Sequence, residues 1–331
     1  MCFALLLTLS RRSVSSITPI YVVLVMIGIV RSFNGPASRS ILPQLVPQEH
    51  FANAVAWNAT VFQASTILGP SFGGLVYAAF HGPSAVYAIA IVTAIGATIS
   101  TFRIKPEVTV RPREPMSLKT LFAGLHFIRN NKLILGAISL DLFAVMLGGA
   151  VALLPVYARE ILHTGPWGLG LLRTAPGAGA AIMALVLAHW PLRGKSGPKL
   201  LWAVAGFGVF TIVFGLSRSL TLSMVALLIA GASDMISVII RATLTLLATP
   251  DEMRGRVTAV DMIFIGTSNE FGQFESGITA QWLGTVPAVV LGGVGTLIVV
   301  ALWAWWFPEL RNAGELHEMA AETSSPTADP A

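Results

Sequence analysis

Residues Ser16 to His81 recur, in degraded form, as Ser219 to Gly284. One offset of 203 residues (219 − 16) lays Ser16-Ile17-Thr18 on Ser219-Leu220-Thr221 and Gly28 on Gly231. The same offset lays Pro47-Gln48-Glu49 on Pro250-Asp251-Glu252, and Gly69 and Gly74 on Gly272 and Gly277, without a gap. Each copy reads as a long apolar segment, a short turn carrying Pro-x-Glu, and a second long apolar segment. A unit repeated at fixed spacing is one piece of architecture used twice, so the chain holds two related halves. Each segment exceeds the roughly 20 apolar residues that cross about 30 Å of hydrocarbon. Isolated apolar spans of that length satisfy their backbone groups only as helices, which makes the predicted class an all-α integral membrane protein.

Composition agrees: 54% of residues are apolar, 11% are charged, and mean hydropathy is +0.74. Spans are predicted at about 18–43, 50–80, 83–103, 133–157, 166–190, 200–217, 221–247, 252–282 and 287–307, with Met1–Leu9 as a short apolar remnant. By the offset, Met1 falls on Val204, inside a span, and 133–157 and 166–190 have no counterparts in the first half. The expectation is an N-terminally truncated or mis-started chain lacking about two and a half helices of its first half. The predicted parts are an incomplete transmembrane half at 1–103, a cytoplasmic linker at 104–132, a six-helix half at 133–311 and a disordered tail at 312–331. Within the linker, Leu118, Leu121, Phe122, Leu125 and Ile128 form one stripe of an amphipathic helix, with Ser117 as N-cap. That helix lies along the membrane surface or packs on the halves.

The net charge of +5 does not point to nucleic acid. Placing 104–132 in the cytoplasm puts 13 of the 21 Lys and Arg in loops and helix ends on that side and four (11, 12, 159, 218) on the other, which makes the C-terminus cytoplasmic. The single Cys2 excludes a disulfide framework, and six scattered His show no metal spacing. No enzyme, cofactor or metal chemistry is expected.

Charges inside spans are the candidate functional residues, since each costs about 2.5–3.5 kcal/mol at the bilayer centre unless it is paired or wet. Asp234 falls at the midpoint of its span, and Arg31 occupies the equivalent position of the first copy (31 + 203 = 234). The two reach a common cavity, or each is neutralised within its own half. Arg241 and Asp261 lie at similar depth and are expected to form a structural pair, which Asp141 can join. Glu270 and Glu275 lie about 140° apart around one helix, so one can line a cavity while the other packs. A carboxylate in that setting suits proton coupling; the alternative is a hydrogen-bonded cluster with Asn269 and Gln273. Arg173 is expected near the extracellular mouth.

Gly69-Pro70-Ser71-Phe72-Gly73-Gly74 resembles the GPxxGG signature of the fifth helix in drug antiporters of the major facilitator superfamily. Pro70 frees a backbone carbonyl, and Gly69, Gly73 and Gly74 allow close helix approach. The two glycines that precede this signature in the family fall on Ala56 and Ser65. Arg31-Ser32-Phe33-Asn34-Gly35 is similar to the R-x-x-(polar)-G motif of the fourth helix, where the resemblance implies a role for Arg31 in proton transfer. Pro36–Arg39, Leu45–Pro47 and 248–257 look like the branch containing the bacterial enterobactin exporter. The second half keeps only an echo, Pro191–Lys195, of the family's G-x-x-x-D-R-x-G-R loop.

The resemblance implies a major-facilitator fold of two pseudo-symmetric helical halves in a bacterial inner membrane. It also implies secondary active transport: proton-coupled export of a small amphipathic compound, drug or siderophore by a monomer. Uptake or facilitated diffusion, and a non-transporting membrane fragment or scaffold, are the alternatives.

Overall fold

Each apolar run folds as a helix in the computed structural model, which describes residues 2–11, 17–45, 51–104, 118–190 and 194–314. The helices are α1 (Cys2–Arg11), α2 (Thr18–Leu45), α3 (Phe51–Ala79), α4 (Pro83–Arg103), α5 (Leu118–Asn130) and α6 (Lys132–Gly148). A 3₁₀ turn (Ala150–Leu153), the one-turn α7 (Leu154–Val156) and a π-helical turn (Tyr157–Ile161) continue the line of α6. Then come α8 (Gly165–His189), α9 (Ser196–Leu216), α10 (Leu220–Leu247), α11 (Asp251–Leu283), α12 (Thr285–Trp306) and α13 (Pro308–Arg311). No strand occurs among the described residues.

The predicted span limits agree with these helices to within about four residues except at 133–157. There the helix breaks at Gly149, whose φ and ψ of −75° and 87° leave the helical region. The adjacent Gly148-Gly149 pair is the local cause, because glycine lacks the side chain that holds a helix against such a bend.

Six of the described helices are long and apolar enough to cross a membrane: 83–103, 132–161, 165–189, 196–216, 220–247 and 285–306. Two of the nine predicted spans show shorter apolar stretches, Thr18–Val30 and Ile67–Ala79, within α2 and α3. The 33-residue α11 spans the predicted 252–282 but carries Asp261, Glu270 and Glu275 along its length. It is the least apolar of the long helices.

Contacts divide the described chain into two compact units. The first comprises 2–104 with 165–170, the opening turns of α8. In it α1 lies against α2 and α4, and α3 against both of its neighbours. Gly74 meets the start of α8 closely: a β-carbon there would lie 2.7 Å from the Pro166 carbonyl oxygen.

The second unit, 118–164 with 171–314, has α9 at its centre, packed by α10 and α12. Leu140, Leu200, Val204, Ile240, Leu244 and Val299 form its core with Trp303, whose Nε1 donates to Ser139 Oγ at 3.0 Å. Exposed tryptophans 190, 282, 305 and 306 fall at helix ends, as at a membrane interface.

The amphipathic helix α5 packs on α11. Ile128, at 1% exposure, sits among Ile134, Ile138, Val257 and Val260, and Gly124 abuts the Arg256 backbone. Phe122 and Leu125 of the same stripe remain exposed. The proposed cap Ser117 and the charged 105–116 lie outside the described residues.

Residues 312–314 differ from the predicted free tail. Ala313 is buried, and Ser196 donates from both its amide and its hydroxyl to the Gly314 carbonyl. The rest of the tail, 315–331, lies outside the described residues, as do Pro191–Arg193.

Candidate functional site

Breaking α6 strips a carbonyl of its helical partner at mid-bundle, and neighbouring helices supply replacements. Ser276 of α11 donates to the Gly149 carbonyl at 2.9 Å, and Thr296 of α12 donates to the Ala144 carbonyl at 3.0 Å. Irregular backbone at membrane depth is tolerated where it is buried in protein or lines a cavity, and here it does both. A cavity of about 230 Å³ opens beside the break, lined by residues of α6 and the turns after it and of α8 through α11.

Asp234, at the midpoint of α10, is the charged residue of that lining. Apolar groups surround it, including Val145, Leu154, Phe207 and Leu227, with Thr211 and Asn269 the remaining polar side chains. Asp234 has no hydrogen-bond or ion-pair partner among the described residues. A crevice of about 10 Å³, room for roughly one water, connects it with Asp141, Phe207 and Ser237.

Two turns along α10 (241 − 234 = 7), Arg241 is held between two carboxylates. Its Nη2 lies 3.1 Å from Asp141 Oδ2 on α6, and its Nη1 lies 3.1 Å from Asp261 Oδ1 on α11. Arg241 and Asp141 are buried, whereas the Asp261 side chain is 19% exposed. The planar guanidinium suits this bridge because its two ends present donors to separate helices. Its Nε, also buried, has no partner among the described residues, and neither has Thr245 Oγ1 one turn further on. The triad therefore ties α6, α10 and α11 together with one cation against two anions.

The other predicted residues are dispersed. Glu270 is exposed and unpaired among the described residues, and Glu275 accepts from Thr279 Oγ1 at 2.6 Å. The polar cluster considered for Glu270 does not form: Asn269 and Gln273 donate to the carbonyls of Ile265 and Asn269 within their own helix. Arg173 is exposed on α8. Arg31 lies on α2, but its side chain falls outside the described part, so its relation to Asp234 does too.

Of the GPxxGG glycines, Gly69 and Gly73 face open space and Gly74 makes the close approach; α3 runs helical through Pro70. No group of three or more potential metal ligands occurs among the described residues.

Sequence reasoning missed the break at Gly149 and the aromatic Phe207. The glycine pair carried a signal for the first; a phenylalanine in an apolar span carried none for the second. A larger, open groove of about 730 Å³ lies among α5, α6, α11 and α13 and holds the exposed Lys132–Glu309 pair at 3.3 Å. It lacks a buried unpaired charge and is not the candidate site.

Residues 1–273 match the family model described as Major Facilitator Superfamily. An uncharacterized MFS-type transporter, YfiS, of Bacillus subtilis (strain 168) is 25% identical over 87% of this chain and 71% of its own length. Enterobactin exporters EntS of Citrobacter koseri and of Escherichia coli K12 are 28% and 27% identical, each over 90% of this chain and 71% of theirs. Among solved structures, a bacterial homolog of the human lysosomal transporter Spinster, inward-facing and unoccupied, superposes with a TM-score of 0.67. It covers 99% of this chain and 84% of its own at 12% identity, a likeness of fold.

Proposed function

The chain belongs to the major facilitator superfamily, and on that premise we propose that it is a secondary active exporter that exchanges a small amphipathic compound for protons. The observation carrying the exchange is Asp234, an unpartnered carboxylate facing a mostly apolar cavity beside a broken helix. A lone charge in apolar surroundings is costly, so its compensation by a mobile proton couples readily to a change of conformation or of occupant. Discontinuous helices at the substrate site are a recurring device of transporters, where freed backbone groups and small motions share one place.

Arg241 is less suited to the coupling step, because both of its Nη ends are already held by Asp141 and Asp261. Those contacts support a structural and field-setting role for the triad. Glu270 is the second coupling candidate: it is exposed and unpaired, free to exchange with water when the halves open. Export rather than uptake is supported by the exporter relatives and by the GPxxGG stretch of α3.

The test uses everted membrane vesicles energised to an acid interior, with acridine-dye fluorescence reporting proton release as amphipathic compounds are added. Exchange predicts dequenching for the wild type, loss of it in Asp234→Asn, and retention in Asp234→Glu. Dequenching that survives unchanged in both Asp234→Asn and Glu270→Gln removes these carboxylates from the coupling step. Substrate accumulation driven in the opposite sense overturns export.

A further inference from the structure

We infer that the cavity beside the α6 break recognises an organic cation, with Asp234 as its counter-ion and Phe207 as its aromatic wall. This deepens, and rests on, the reading of that cavity as substrate-handling. The sign of the site follows from its lining. Asp234 is the charged residue there, and none of the described lining residues is Lys, Arg or His.

The nearest cation on α10, Arg241, lines neither the cavity nor the crevice, and its Nη groups are held by Asp141 and Asp261. Counted formally, the group of four carries −2 (one Arg against three Asp). An anion entering this cavity meets repulsion from the carboxylate and finds no cationic side chain in the lining. A cation meets an uncompensated one in a medium where the attraction is weakly screened.

Phe207 adds a second, independent element. It lines both the cavity and the crevice that reaches Asp141 and Asp234. Its position is fixed by packing: a β-carbon on Gly148 would lie 2.7 Å from Phe207 Cε1, so glycine there makes room for the ring. A fixed aromatic face beside a carboxylate suits ammonium groups, which the ring quadrupole attracts.

Size limits the occupant. About 230 Å³ falls below the roughly 300–1,000 Å³ of pockets for drug-sized ligands. The cavity thus holds an ammonium head with a short apolar body, which Val145, Leu154 and Leu227 can cover. Thr211 and Asn269 leave room for one polar substituent.

The probe is radiolabelled benzyltrimethylammonium, bound at equilibrium to the full chain purified in detergent. Its uncharged isostere neopentylbenzene and the anion phenylacetate serve as competitors. Saturable binding is expected, displaced at least about tenfold more weakly by either competitor than by the unlabelled cation. Asp234→Asn should weaken binding by about tenfold or more while Asp234→Glu preserves it, and Phe207→Leu should weaken it several-fold.

Absence of saturable binding to the wild type, equal displacement by neopentylbenzene, or unchanged binding in Asp234→Asn overturns the inference. The competitor series needs only the wild type, so it decides the matter even if a variant fails to fold. No gradient enters this measurement, so it separates recognition from coupling. A chain that binds the cation but releases no protons keeps this inference and loses proton exchange. One that couples protons only to uncharged or anionic compounds does the reverse.

Discussion

Removing one member of the Arg241 triad is more damaging than its net contribution suggests. Two carboxylates and a guanidinium in low dielectric attract strongly but lose much of their hydration, so the whole set can be nearly neutral for stability. Taking away Arg241 leaves two carboxylates facing each other without compensation, for which about 3–5 kcal/mol is the usual cost. Arg241→Met should therefore lower the thermal midpoint in detergent more than any single Asp change. Asp141→Asn should cost more than Asp261→Asn, because Asp261 keeps partial access to solvent. The check is tryptophan fluorescence on heating, and equal midpoints for all three variants would refute the triad's role. Glu309, outside the spans, behaves differently. Its own backbone N–H, and then Lys132, hold its carboxyl below the ordinary 4.5. A lowered value means the stabilisation is present above 4.5 and is lost as pH falls through the lowered value. Exposed as this pair is, its contribution is small. Selective carbon-13 labelling of Glu should show Glu309 titrating below 4.5, still so in Lys132→Ala, because the backbone hydrogen bond is the leading cause.

Among helices, the repeat preserves glycines without preserving what they do. Gly231 lies where α8 crosses α10, and a β-carbon there would collide with the Pro176 carbonyl; its counterpart Gly28 has nothing within 4 Å. Gly272 faces the Met146 backbone while Gly69 is open, and the third pair reverses the pattern, with Gly74 crowded and Gly277 open. Gly231→Ala should force α8 and α10 apart and destabilise by about 1–3 kcal/mol, the range for overpacking a tight contact. Gly28→Ala should be neutral or stabilising, since alanine favours a helix interior by up to about 1 kcal/mol over glycine. Detergent-solubilised yield and thermal midpoint of the two variants measure the difference, and equal effects would show that the copies still share their packing. This contrast marks what the sequence makes legible. Helix limits were readable because apolar length and Pro-x-Glu turns act locally. The Arg241–Asp261 contact could be anticipated from equal depth in adjacent helices, which needs only helical rise. The emptiness around Gly28 and the wall made by Phe207 depend on which faces meet, and an apolar run does not encode that. The break at Gly149 was marked by its glycine pair, but its place beside Asp234 emerges only from packing.

Across the whole molecule, we expect the distribution of basic residues to set which way the chain threads the bilayer. With 104–132 in the cytoplasm, 13 Lys and Arg fall in loops and helix ends on that side against four on the other. Basic residues near span ends resist translocation, so this imbalance is expected to set orientation with little help from acidic groups. We therefore expect the loop between α8 and α9, with Arg193 and Lys195, and the first turn of α9, with Lys199, to face the cytoplasm and the α9–α10 turn at Arg218 to face outward. The chain suits a direct test because Cys2 is its single cysteine. In a Cys2→Ser background, Lys195→Cys and Arg218→Cys place one thiol on each predicted side. A membrane-impermeant maleimide added to intact cells should label position 218 and leave 195 unmodified until the membrane is permeabilised. Labelling of 195 from outside, with 218 protected, means the opposite threading. In that case Asp234 keeps its cavity, but export in the proposed sense requires the site to open to the cytoplasm through the other end of the bundle.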